Sequence, residues 1–249
     1  MLTEERKNQI LKLVERNGGV SVQELMSLFN ASESTIRRDL NDLDKRELLI
    51  KVHGGAVSIS KNITADLLVS DREDLNRDKK RQIAQYAASL ITDEDLVYLD
   101  AGTTTGLIVD YLSCKHAVFV TNAIVHARKL SSMGYQVYMP GGMLKAKTEA
   151  LTGTQTCDYL SRFHFTKGFF GTNGVTVKEG FTTPDIQEGT VKETAIRHAG
   201  KRYVVCDSSK FDKISSVTFA EFSYASIITD ENLPRAYRKY EQIIVVPEP

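Results

Sequence analysis

The sequence predicts an α/β chain in two parts: an N-terminal winged helix-turn-helix at 1–57, a linker at 58–76, and a mainly parallel α/β domain at 77–249. Two observations predict it. Residues 4–45 carry three helical periodicities separated by very short turns, and an alternating segment with a Gly pair follows, as in helices backed by a small β-ribbon. From Arg77 onward, short apolar runs ending in Gly, Thr or Asp alternate with amphipathic stretches, the pattern of a parallel sheet with helices on both faces.

The first helix is expected over 4–16, with Thr3 as N-cap and Ile10, Leu11, Leu13 and Val14 at helical spacing, and Asn17-Gly18-Gly19 as its stop. Ser21 caps a second helix with the apolar stripe Val22, Leu25, Met26 and Phe29. Asn30-Ala31 is a tight turn. Ser32 then caps a third helix in which Ile36, Leu40 and Leu43 face the core and Glu33, Ser34, Thr35, Arg37, Arg38 and Asn41 turn outward or to the flanks. The segment LLIKVHGGAVSI closes the unit as a wing.

Two helices joined by a short turn, the second opening on small hydroxyl residues and then an Arg pair, have the form of a DNA-reading unit. Ser34 and Thr35, near a helix N-terminus, suit phosphate or base edges. Arg37 and Arg38 can fork onto guanine or clamp phosphate, and Lys51 and His53 would reach the DNA backbone or minor groove from the wing. The competing reading pairs both arginines with Asp39, Asp42 and Asp44 on a solvated face. Double-stranded operator DNA is the expected partner, bound as a homodimer or higher homo-oligomer on paired half-sites.

Composition narrows the field. Lys plus Arg and Asp plus Glu both number 32 in 249 residues, so attraction to nucleic acid must be local rather than global. The three cysteines, Cys114, Cys157 and Cys206, are far apart and without C-x-x-C spacing, which suits a reducing compartment, and a cytoplasmic location is expected. The N-terminus is charged and no run is long and apolar enough for a membrane span, so no membrane partner is expected. The five histidines lack ligand spacing, so no metal is expected.

In the second part, a helix bearing Ile83, Ala84, Ala87 and Leu90 precedes the strand LVYLD, a Gly/Thr loop and a helix; the strand AVFVT, a helix and the strand YQVYM follow, with later strands at KGFFGT, RYVVCD, ASIITD and QIIVV. Ligand groups in such a sheet gather at the strands' carboxyl edge. There lie Asp100, Gly102, Thr103, Thr104 and Thr105, where Gly lets the backbone close on a ligand and hydroxyls and helix amides suit phosphate oxygens. Thr121 and Asn122, Gly141 and Gly142, and Gly171 and Gly174 end other strands. Asp207 and Lys210 follow RYVVC, where a Lys can neutralise phosphate and an Asp can accept sugar hydroxyls. Glu188 and Lys192 stand at i, i+4 on one helix face, for which a surface ion pair is the default expectation.

The stretch VSVQELMSLFNASESTIRRDLNDLDKRELLIKVHGGA resembles the N-terminal domain of the DeoR family of bacterial transcription regulators, with TIRRDL and HGGA as signature; Glu47 stands where such proteins often have Gly. The strings LDAGTTT, VTNA, PGG, FFGTNGV, GFTTPD, VKETAI and DSSKF resemble the sensor half of the same family, which looks like the ribose-5-phosphate isomerase and glucosamine-6-phosphate deaminase fold. The resemblance implies that Gly102 to Thr105 hold the phosphate of a phosphorylated sugar effector, with Lys192 and Lys210 nearby and Asp100, Asn122 and Glu188 near its hydroxyls. Gly189 stands where relatives often have Ala, and GFTTPD is similar to members governing fructose or related hexose phosphotransfer operons. The implied function is a sugar-operon repressor with no cofactor and no catalytic residue. Two alternatives compete: a sugar-phosphate isomerase or deaminase with a DNA-binding appendage, for which only Asp185 and Glu188 offer a base, and a winged helix that binds protein rather than DNA.

Overall fold

A computed structural model of the chain describes residues 3–17, 19–46, 48–52, 54–58 and 75–247, and the chain divides into two compact units, 1–64 and 65–249. His53 and Glu47 lie outside the described residues.

The first unit holds α1 (Thr3–Asn17), β1 (Gly19–Ser21), α2 (Val22–Phe29), α3 (Glu33–Lys45), β2 (Ile50–Val52) and β3 (Gly55–Val57). Ile10 and Val14 of α1, Val22 and Leu25 of α2, and Ile36, Leu40 and Leu43 of α3 are buried together, so the 3.6-residue period does place one stripe of each helix in a shared core. The start of α2 is set by a capping box: Ser21 Oγ accepts from Glu24 N while the Glu24 carboxylate accepts from Ser21 N. Asn30, in the left-handed region at φ 46°, turns the chain between α2 and α3. Residue 19, expected only to stop α1, instead begins a strand: β1, β3 and β2 form an antiparallel sheet in that order. This accounts for the Gly pair. Gly54 turns the β2–β3 hairpin at φ +85°, and a Cβ on Gly55 would lie 2.1 Å from the Val20 carbonyl oxygen of the neighbouring strand.

The second unit runs α4 (Arg77–Ser89), β4 (Leu96–Leu99), α5 (Thr103–Ile108), β5 (Val118–Thr121), α6 (Ile124–Ser132), β6 (Gln136–Tyr138), β7 (Met143–Lys145), β8 (Ala150–Thr152), α7 (Thr154–Leu160), β9 (Phe165–Gly171), β10 (Gly174–Thr176), β11 (Gly180–Thr183), α8 (Ile186–Arg197), β12 (Ala199–Val205), β13 (Val217–Ala220), β14 (Ser226–Asp230) and β15 (Ile243–Val246). Seven strands form a parallel sheet in the order β15-β14-β12-β9-β4-β5-β6. Their continuous apolar runs are explained by burial on both faces. Val97, Leu99, Phe169, Val205 and Ile228 pack toward α4, α5 and α6, while the alternate residues Tyr98, Phe170, Val204 and Ile227 pack toward α8.

The motif-based reading omitted a second layer. β10, β11 and β13 form a small antiparallel sheet whose Val175, Phe181 and Phe219 join the core on the α8 face, and β7 and β8 form a separate hairpin. Among the described residues no helix is long and apolar enough to cross a membrane.

Candidate functional site

On α3 the acids and the arginines separate. Asp39 is buried and accepts from Arg6 of α1 at 2.6 Å; Asp42 accepts from Lys7 at 2.7 Å; Asp44 accepts from the Lys51 backbone N–H at 2.9 Å. The carboxylates that could have absorbed Arg37 and Arg38 are therefore engaged elsewhere. Arg37 pairs only with Glu33, at 2.7 Å and exposed, and exposed Arg38 has no ion-pair or hydrogen-bond partner among the described residues. Ser34 is exposed and its hydroxyl meets Ser32 Oγ at 3.0 Å; Thr35 is half-buried, with its N–H and hydroxyl both on Ser32 Oγ. Lys51 Nζ donates to Asn41 Oδ1 at 2.5 Å, tying β2 to the outer face of α3.

At the carboxyl edge of the parallel sheet, Asp100 follows β4 and is 1% exposed. Its Oδ2 accepts from Gly171 N at 2.9 Å and from Lys192 Nζ, which also donates to the Gly171 carbonyl at 3.1 Å. Burial raises the Asp100 carboxyl above its ordinary value; Lys192 and the Gly171 N–H oppose that, and the Glu188 charge adds to it. Lys192 also lies 5.6 Å from the centre of the Phe219 ring. The expected i, i+4 pair of Glu188 and Lys192 is therefore corrected: Glu188 Oε1 accepts instead from Thr148 at 2.6 Å and from Lys145 at 3.0 Å, and Lys145 also meets Asp185 at 3.1 Å. Side chains three to four residues apart on a helix pair only weakly, and Lys192 finds a more deeply buried partner in Asp100. Lys145 and Thr148, from the β7–β8 hairpin, were not singled out in the sequence.

Much of the polar set at the strand ends is committed to the protein itself. Thr105 donates to the carbonyls of Asp100 at 2.6 Å and Gly102 at 2.9 Å, while Thr104 is buried and Thr103 half-buried at the start of α5. Asn122 Oδ1 accepts from Tyr98 OH and Ala101 N, both at 3.1 Å, and its Nδ2 donates to the Leu151 carbonyl at 3.1 Å. Thr121 Oγ1 accepts from Ala123 N at 3.1 Å. Gly141 accepts through its carbonyl from Thr156, Gly142 enters β7, and Gly174 opens β10 against the Lys213 backbone. Gly189 on α8 is closely covered: a Cβ there would meet Val217 Cγ1 at 2.8 Å, so an Ala would require the Val217 side chain to shift.

Beyond β12, Asp207 is 1% exposed and its Oδ1 accepts from Asn76 Nδ2 and Ser209 N, each at 3.0 Å, so this carboxylate anchors the start of α4. Lys79 of α4 reaches Ser208 Oγ at 3.0 Å and Asp230 at 3.2 Å. Lys210 differs. Among the described residues its ammonium has no acceptor, and three positions on lies Lys213, half-buried and likewise without a side-chain partner. Burial, then the Lys210 charge, holds Lys213 below the ordinary lysine value, with Asp207 opposing. Lys213 carried no motif; its spacing from Lys210 in DSSKFDK was the only signal.

Comparison with known proteins places the chain as follows. Residues 6–62 match the family model described as DeoR-like helix-turn-helix domain, and residues 75–231 match that described as DeoR C terminal sensor domain. The chain is 41% identical over 99% of its length, and 98% of the relative's, to "Uncharacterized HTH-type transcriptional regulator FruR" of Bacillus subtilis. It is 32% identical to the "Lactose phosphotransferase system repressor" of Staphylococcus epidermidis, over 97% of this chain and 98% of that one. Among solved structures, ribose 5-phosphate isomerase A of Methanocaldococcus jannaschii overlays 55% of each chain at 15% identity and a TM-score of 0.40, a loose likeness.

Proposed function

Since the chain belongs to the DeoR family of transcriptional regulators, we propose that it represses a sugar-utilisation operon and that a phosphorylated sugar, bound at the carboxyl edge of its parallel sheet, controls its affinity for operator DNA. A relative named as a repressor of the lactose phosphotransferase system favours a phosphotransfer operon as target. The observation that carries the sugar-phosphate reading is Lys210 with Lys213: two ammonium groups with no ion-pair partner among the described residues, beside a sheet edge where Asp100 is paired with Lys192 and Glu188 with Lys145. A buried or half-buried cation without a counter-charge is costly, and a phosphate dianion relieves that cost.

In this reading Lys210 and Lys213 take the phosphate, with Gly102, Thr103 and Thr104 lining the approach. Asp100, Glu188 and Lys192 face the sugar hydroxyls; Thr105, Thr121, Asn122 and Asp207 hold the loops that carry them, as do Gly141, Gly142, Gly171 and Gly174. On DNA, Ser34, Thr35, Arg37, Arg38 and Lys51 contact the duplex, and two copies read paired half-sites. The effector acts by binding one arrangement of the paired reading heads more tightly than another, because only differential affinity shifts an equilibrium.

A thermal-unfolding screen against fructose, tagatose, glucose and glycerol phosphates tests the reading. At least one phosphorylated sugar should raise the midpoint and alter duplex affinity, while its unphosphorylated parent does neither. If none of the phosphates does so, the effector assignment fails.

A further inference from the structure

The buried stripe of α3 contains one charged residue among its apolar ones: Ile36, Asp39, Leu40 and Leu43 all face inward, and Asp39 is 2% exposed. A carboxylate in that position is unfavourable unless paired, and its partner is Arg6 of α1, with Nε 2.6 Å from Oδ2. The Asp39 carboxylate in turn holds the Arg6 guanidinium above its ordinary value. One turn further along α3, Asp42 meets Lys7, the residue after Arg6 on α1, at 2.7 Å, and Arg46 lies 3.6 Å from Asp42 and 3.7 Å from Glu4. The two helices are thus joined by a polar seam beside their apolar contact.

The two kinds of contact constrain different things. Packing of Ile36, Leu40 and Leu43 is non-directional and tolerates small rolls and slides of α3. A buried charge-assisted hydrogen bond tolerates neither, and fixing register is the best-attested role of such pairs. Roll is the coordinate that matters for reading DNA, because Arg38 precedes Asp39 directly and Ser34, Arg37, Arg38 and Asn41 share the outward side. A base-edge contact is made or lost over a shift of about 1 Å.

We propose that Arg6 and Asp39 are the positioning residues of the DNA interface: their ion pair sets the roll of α3 and so the sequence selectivity of the protein, without either residue touching the duplex. The inference rests on α3 as the DNA-reading helix. It separates from two simpler roles. If Asp39 mattered only as a negative charge near DNA, removing it would strengthen binding to every duplex. If the pair mattered only for folding, a variant with its stability restored would read DNA normally.

The test uses the full chain and a duplex that the parent protein selects from a randomised library, with a scrambled duplex as control, at fixed salt. In the double variant Arg6→Met with Asp39→Leu, the apolar pair is expected to keep the thermal midpoint within a few degrees of the parent, since well-packed apolar replacements of buried ion pairs are often neutral in stability. Its selectivity, the ratio of selected to scrambled affinity, is expected to fall about tenfold or more, with scrambled binding unchanged or tighter. Arg6→Lys keeps the charge without the planar fork and should lose selectivity by an intermediate factor; it is judged by the same criterion if the double variant does not fold. A selectivity within twofold of the parent in a folded variant overturns the positioning role while leaving α3 as the reader. A parent chain that enriches no duplex overturns both.

Discussion

The outward face of α3 and the carboxyl edge of the parallel sheet are both dense in charge, yet they hold it in opposite ways. On α3 the acids are neutralised from behind, Asp39 by Arg6 and Asp42 by Lys7, which leaves Arg38 exposed and without a partner among the described residues, and Arg37 in one weak surface pair. At the sheet edge charges neutralise one another in the interior, Asp100 with Lys192 and Glu188 with Lys145, and among the described residues the lysines Lys210 and Lys213 have no ion-pair partner. A surface that must meet a polyanion keeps its cations at little cost to the fold. On the proposed reading, the sheet edge walls its ligand with paired ions and leaves few groups for the ligand itself.

The contrast is easiest to break at Lys192. Lys192→Met leaves Asp100 buried without its cation, and should cost about 3–5 kcal/mol of stability. Denaturant unfolding measures it; a loss below about 1 kcal/mol would mean that the pair is not a structural wall. At the open end of the same edge, Lys210→Ala and Lys213→Ala should leave the unfolding midpoint unchanged or raise it. Each should weaken sugar-phosphate binding by about 1.5–3 kcal/mol, tenfold or more by calorimetry. Unaltered affinity in either variant removes that lysine from the site. On α3, Arg38→Ala should shift stability by less than about 0.5 kcal/mol and weaken operator binding by about 1–3 kcal/mol. Equal operator affinity in the variant would sink the reading of that face.

What the sequence revealed follows from the range of the interactions. The burial of Ile36, Leu40 and Leu43 was legible because it is written in a local period, and the strand-end positions of Asp100, Asn122, Gly171 and Asp207 were legible because each follows an apolar run. The burial of Asp39 was not, since its partner Arg6 lies 33 positions away on another helix. The Glu188 and Lys192 partners are equally remote, 40 positions to Thr148 and 92 to Asp100, so spacing on one helix pointed to the wrong pair. β1, β10, β11 and β13 are three or four residues long and owe their form to antiparallel neighbours such as Phe181 opposite Ala220. Motifs located the Gly/Thr loop after β4. They could not tell that the Thr105 hydroxyl turns inward onto two backbone carbonyls.

The amino edge of the sheet carries a buried pair against which both proposed faces can be judged. Asp95, just before β4, is opposed by burial, yet Lys167 at 2.5 Å and the Thr166 and Thr92 hydroxyls outweigh it and hold the carboxyl at about 2. A folded value below the ordinary 3.8 means that ionised Asp95 stabilises the native state above about pH 4 and that this contribution is lost as pH falls toward 2. Asp95→Asn should therefore flatten the acid limb of the stability profile in that window and leave duplex and sugar-phosphate binding at neutral pH untouched. An acid limb of unchanged steepness would assign the loss to other carboxylates.

The smallest effect is expected at Glu33, and it bears most directly on why the outer face of α3 is not wholly basic. Glu33 sits in the first turn of α3, where an acid is favoured by the helix dipole, and its only described ion pair is with Arg37 across one helical turn. An exposed i, i+4 pair holds Arg37 by a few tenths of a kcal/mol, too little to keep it from DNA but enough to lower its availability to a random phosphate. Glu33→Ala should therefore tighten binding to a scrambled duplex by about twofold and steepen its salt dependence, because one more cation then displaces counterions. Operator binding should gain less, since there Arg37 is already drawn off by its DNA contacts, and selectivity should fall slightly. Equal gains on both duplexes would show that Glu33 acts only as a repulsive charge, and that Arg37 makes no contact peculiar to the operator.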